Sequence, residues 1–90
     1  MPVFRARLVD GQPEITWAFP QWSWAPMKGT PAQFYGEPQP SPGWFFCQIH
    51  DLLGYRSVKQ YAQADAIKQW LIDYGCEVEC EKDGSIRVKY

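Results

Sequence analysis

The chain is short of the residues that carry chemistry. It has one histidine, His50, and three cysteines, Cys47, Cys76 and Cys80. With no second histidine, no serine-nucleophile motif and no glycine-rich phosphate loop, most hydrolytic and nucleotide-dependent mechanisms lack their parts. No cofactor is implied. An odd cysteine count argues against a disulfide framework, and the opening MPVFRARLVDGQ lacks the apolar stretch of a secretion signal. No apolar run approaches the roughly 20 residues of a membrane span. The expectation is a reduced, cytoplasmic protein.

A surplus of charge is also missing. Nine Lys and Arg face ten Asp and Glu over 90 residues. Residues 1–43 hold three of each sign, and residues 44–90 hold six basic against seven acidic. The uniform basic footprint of a protein that tracks phosphates is therefore not visible. What the chain does have is bulk. Hydrophobic residues are 46% and aromatics 17%, enough for one small domain that buries about 60–65% of its unfolded surface.

The pattern predicts an α+β domain with an antiparallel sheet packed against a helix. Residues 3–19 read as a β-hairpin, with Phe4, Ala6 and Leu8 on one face and Ile15, Trp17 and Phe19 on the other strand's matching face. Pairing Leu8 with Ile15 and Phe4 with Phe19 leaves a four-residue loop, DGQP, that absorbs Pro13. Residues 20–43 hold six of the eight prolines and two charges, Lys28 and Glu37, and form a long Trp/Pro-rich connection. A short helix or strand over 44–53 follows, with Ser41 as N-cap, Pro42 at the first helical position and Gly54 as a stop. A second helix spans 57–74, opened by a Ser57-x-x-Gln60 capping box or, alternatively, at Asp65, and closed by Gly75. Its stripe is Ile67, Trp70, Leu71 and Tyr74. The C-terminal helix is expected to pack on the sheet.

The last segment, CEVECEKDGSIRVKY, sets glutamates against cysteines and valine in strict alternation. Even-numbered inner residues on both strands require an odd loop, so KDG becomes a type I turn with Gly84 in a left-handed bulge. Cys80 then faces Ile86, Val78 faces Val88, Glu79 faces Arg87 and Glu77 faces Lys89. The carboxylate row becomes half of a charge-paired hairpin rather than a metal cage.

Two chemical constellations compete with that reading. Cys47-x-x-His50 with Cys76-x-x-x-Cys80 has the residue types of a zinc set, but a strand separates Cys76 from Cys80 by about 13 Å. A Cys47–His50 nucleophile pair meets at helical i, i+3 spacing, yet adjacent residues on a helix point in different directions, so Asp51 is poorly placed to orient the imidazole. Neither metal nor catalytic residues are assigned. The better candidates are aromatic. Trp22 and Trp24, with Phe34 and Tyr35, either close the core or anchor another protein, since Trp and Tyr dominate interface hot spots.

The stretch IHDLLGYRSVKQY, followed by AQADAIKQWLIDYGCEVECEKDGSIRV, resembles the helix-turn-helix and wing of small phage and mobile-element domains of the excisionase-like, winged-helix type. The resemblance covers 49–90. It implies a recognition helix in the major groove and a hairpin wing, with Arg56, Lys59 and Lys68 as the DNA-contacting residues. Here Asp65, Asp73 and three wing glutamates stand where phosphate contacts belong. The leading expectation is a small non-enzymatic protein-binding factor, an accessory or inhibitor of the anti-defence type, monomeric or homodimeric through a hairpin edge. The alternative is the winged-helix DNA binder; a Cys/His metal or thiol enzyme is third.

Overall fold

A computed structural model describes residues 3–18, 25–26, 31–34, 36 and 41–90. Two β-hairpins join edge to edge. Strands β1 (Val3–Val9) and β2 (Gln12–Ala18) form the first, and β4 (Glu77–Cys80) and β5 (Ile86–Lys89) the second. A two-residue pairing, β3 (Ala25–Pro26), extends the edge, so the antiparallel sheet runs β3–β2–β1–β5–β4. Between the hairpins lie a 3-10 turn (Pro31–Gln33) and two helices, α1 (Pro42–Ser57) and α2 (Tyr61–Tyr74). The α+β class and the C-terminal hairpin read from the sequence are the ones observed.

The first hairpin departs from its expected register. Phe4 pairs with Trp17, Ala6 with Ile15 and Val9 with Gln12, leaving only Asp10 and Gly11 in the turn. Both turn residues take positive φ, 54° and 78°, as a type I′ turn requires, and its twist matches that of the strands. The tighter turn wins over the four-residue loop because Pro13 is tolerated within β2. It stands opposite Leu8, one step from the turn-closing pair, where ladder hydrogen bonds alternate away from the partner strand. Leu8 is left 38% exposed instead of pairing with Ile15. Phe19, expected opposite Phe4, lies outside the described residues.

The second hairpin has the expected register throughout: Cys80–Ile86, Glu79–Arg87, Val78–Val88 and Glu77–Lys89. Glu81 N–H donates to the Ser85 carbonyl at 2.8 Å and Gly84 N–H to the Glu81 carbonyl at 3.1 Å. Gly84 sits at φ 91°, a conformation that a Cβ would strain.

Segment 44–53 is helical, and α1 extends past it. Ser41 caps it as expected, its Oγ accepting from Trp44 N–H at 3.1 Å. Gly54 is not the stop. The helix runs to Ser57 and breaks where Lys59 turns left-handed at φ 61°. Ser57 does not open a capping box either, because its hydroxyl donates back to the Gly54 carbonyl at 2.7 Å. Helix α2 therefore starts at Tyr61, without a side-chain cap, and ends at Gly75. Serine serves either end of a helix, and here the C-terminal carbonyl captured it.

Helix α1 covers the β1–β2 part of the sheet, and the C-terminal helix packs on β4 as expected. Helix α1 also packs on the 3-10 turn and on α2. Being enclosed on several sides, α1 buries Trp44, Phe45, Phe46 and Cys47 in succession, then Ile49, Leu52 and Leu53, the pattern of a helix apolar nearly all round. Phe4, Ala6, Ile15, Ile86 and Val88 meet it from the sheet. Aromatic contacts tie the layers: Phe4 to Phe45 at 5.2 Å, Phe45 to Trp44 at 4.6 Å, Trp44 to Tyr74 at 4.8 Å and Phe45 to Tyr90 at 5.2 Å between ring centroids. Each such side chain contributes about 1.5–3 kcal/mol through burial.

Candidate binding face

Both helices lie on one side of the sheet, and on the other side the alternating residues are exposed or half-buried except at Ala18, which is buried. On β1 these are Arg5 and Arg7; on β2, Glu14 and Thr16; on β5, Arg87. Because β1 pairs with β5, Arg5 stands directly opposite Arg87. Like charges directly opposite each other destabilise an antiparallel pair. Arg7 follows two residues on, so three guanidinium groups project from the two adjacent central strands.

Carboxylates border this centre on both sides. Glu14 approaches Arg7 at 3.6 Å from β2, while Glu79 and Glu81 approach Arg87 at 3.9 and 3.4 Å from the β4 side. These are exposed contacts of the strength that solvent and salt readily exchange, roughly 0–1 kcal/mol each. Asp83 sits at the turn. The Ser85 backbone N–H donates to its Oδ1 at 2.9 Å, and this hydrogen bond, reinforced by Ser85's side chain and by nearby Arg7, holds the carboxyl below its ordinary range. Together Arg5, Arg7, Arg87, Thr16, Ser85 and the bordering acids line an open hollow of about 420 Å³. It is zoned by charge: cationic along the middle, anionic at the margins.

Of the aromatic residues singled out from the sequence, Trp22, Trp24 and Tyr35 lie outside the described residues. Phe34 is half-buried and packs on the core, its ring 5.2 Å from that of Phe46. The three basic residues of the helix-turn-helix reading fall around the junction of the helices. Arg56 and Lys68 line a smaller cleft of about 140 Å³ with Asp65 and Cys80, and Arg56 Nη1 donates to Cys80 Sγ at 3.6 Å. Lys59 occupies the exposed left-handed turn between the helices.

The cysteines do not assemble. Cys47 and Cys76 are buried and Cys80 is exposed; burial pushes the Cys76 thiol up. Among the described residues, no three His, Cys, Asp or Glu side chains converge as a metal-binding group. His50 Nδ1 comes only to 4.0 Å of Asp51 Oδ1, and Asp51 is raised by burial against a smaller opposing effect of His50. No helix among the described residues is long and apolar enough to cross a membrane.

Arg5 and Arg7 were not among the sequence-derived candidates. Their signal is the alternation F-R-A-R, which puts both on the face away from Phe4 and Ala6. The pairing that brings Arg87 beside them joins strands about eighty residues apart in sequence, and no local pattern encodes it. Compared with protein-family models, with curated proteins and with solved structures, the chain gives no significant match.

Proposed function

We propose that this is a non-enzymatic binding protein that docks another protein through the open face of its sheet. The observation that carries the reading is the uncovered, charge-zoned surface on which Arg5 opposes Arg87 with Arg7 beside them. An interface centred on arginine and ringed by acids gains orientation and partner discrimination from complementary charge. The buried state of Cys47 supports a role without covalent chemistry. An accessory or inhibitory task of the kind that mobile elements encode suits a domain of this size and charge.

The test is photo-crosslinking in cells that produce the protein, with a benzophenone side chain at Thr16 on the open face or at Gln63 on exposed helix α2. A discrete protein adduct from position 16 and not from 63 is expected. Adducts from position 63 alone would move the working surface to the helices.

A second reading keeps the DNA-binding alternative, supported by the shared cleft of Arg56 and Lys68 with Lys59 exposed nearby. Neutralising several phosphates would make affinity fall steeply with salt. Absence of binding to any duplex at low salt removes it.

A further inference from the structure

We infer that the free edge of β4 takes an extended segment of the partner protein as an added strand, one that alternates basic and aliphatic side chains. This rests on the reading above only in taking the partner to be a protein, and it names how the partner's backbone is held. The first argument is the unused hydrogen-bonding edge. Strand β4 ends the sheet. Glu81 N–H donates to the Ser85 carbonyl, so by the alternation of an antiparallel ladder Glu79 and Glu77 also bond to β5. The backbone N–H and C=O groups of Val78 and Cys80 then point outward, where they meet no backbone partner among the described residues. Such a row is a template for another strand, and main-chain bonds to it supply affinity.

The second argument is the charge on the open side. Glu77 and Glu79 project there from β4 and are exposed, with Glu81 following at the turn. Glu79 and Glu81 share the single guanidinium of Arg87, and Glu77 makes no ion pair among the described residues. Side chains on one face of neighbouring strands meet each other, so a strand beside β4 complements these carboxylates with Lys or Arg. A second copy of β4 would instead set glutamate beside glutamate, which disfavours self-pairing at this edge.

The third argument is the helix side. Cys80 lies there, at a cleft of about 140 Å³ walled by Leu52, Tyr61 and Ala64. Arg56 and Lys68 line the same cleft against one carboxylate, Asp65. A basic side chain entering it would meet two cations, whereas an aliphatic one finds apolar walls. Carboxylates on one side and the cleft on the other therefore select a strand whose character alternates with period two.

The experiment uses the full isotope-labelled chain and three capped seven-residue peptides, followed by NMR. One alternates Lys and Val; the second has the same composition with its lysines contiguous; the third alternates Glu and Val. The alternating Lys/Val peptide is expected to bind at least about tenfold tighter than either of the others, a difference of about 1.4 kcal/mol. Shifts concentrate at Val78 and Cys80, whose amides exchange with solvent at least about tenfold more slowly at saturation. Cys80→Pro removes an outward N–H and no bond to β5, and it weakens binding at least about tenfold. Glu77→Gln/Glu79→Gln, with its thermal midpoint measured alongside, loses the preference for Lys over Glu. Equal affinity for the alternating and contiguous peptides overturns the inference. So do shifts centred away from β4, undiminished binding to a folded Cys80→Pro chain, or a Lys preference that survives in the double variant.

Cys80→Pro carried into the crosslinking in cells separates this inference from the open-face reading. A fall in the yield of the position-16 adduct supports the edge. An adduct at full yield overturns the edge and leaves the docking face standing. Binding of the alternating peptide at β4 with no adduct from position 16 supports the edge and overturns the face.

Discussion

Strand β1 has two sides of opposite character. Phe4 and Ala6 are fully buried against α1, while Arg5 and Arg7, one residue away, stand exposed in the hollow. The inner side obeys packing: large rings interlock across sheet and helix, and close-packed interiors tolerate little change. The outer side obeys something else, because it places arginine opposite arginine at the middle of a sheet. A surface selected only for folding would alternate the signs there, as Glu79–Arg87 and Glu77–Lys89 do in the neighbouring ladder. The contrast separates what holds the domain together from what the domain offers to a partner.

The largest way to break that contrast is Phe4→Ala. Phe4 is fully buried and touches both Trp17 and Phe45, so its truncation costs about 3–5 kcal/mol. Urea unfolding reads this as a fall in midpoint, and a loss under about 1 kcal/mol would mean that the core closes differently. Gly84→Ala comes next. Nothing blocks its Cβ within 4 Å, but φ is 91°, and a left-handed backbone penalises an L side chain by about 1–2 kcal/mol.

Arg5→Thr, adjacent to Phe4, is expected to go the other way. Removing one of two opposed like charges and adding a strand-favouring residue offsets the loss of the arginine's own exposed contacts and raises stability by no more than about 0.5 kcal/mol, with partner binding weakened. Destabilisation instead would show that Arg5 serves the fold. Smallest is the pH response of Asp83. Its pKa is lowered in the folded state, so its contribution is complete above the unfolded value near roughly pH 4 and disappears as pH falls through the lower folded value. Acid titration of the hairpin amides should reveal it, and Asp83→Asn should flatten that response.

The two Asp-Gly turns explain how far the sequence could be read. In the second hairpin, both strands show clean alternation up to the loop, so parity alone selects KDG and the whole register follows. In the first, parity allows both a two-residue and a four-residue loop, and Pro13 argues for the longer one. The backbone resolves the choice through positive φ at Asp10 and Gly11, a term that outweighs the proline because its missing donor faces away from β1. The helices show the same limit. Ser57 and Gly54 each signal a boundary, yet the hydroxyl bonds backward and the glycine lies within a continuing helix. The apolar pattern located the elements; competition among local hydrogen bonds set their ends. The binding face was the least legible, because β1 and β5 come together only through the layered packing of everything between them.

The most direct test is the affinity of the partner trapped at Thr16, purified and titrated calorimetrically against the wild-type chain and against Arg5→Glu/Arg87→Glu. The two substitutions lie outside the core but set like charges opposite each other and opposite Glu79, so the thermal midpoint of the variant is measured alongside to show that it is folded. If the open face is the docking surface, charge reversal at its centre weakens binding by about a hundredfold or more, on the order of 3 kcal/mol. An unchanged dissociation constant in the folded double variant would contradict the account.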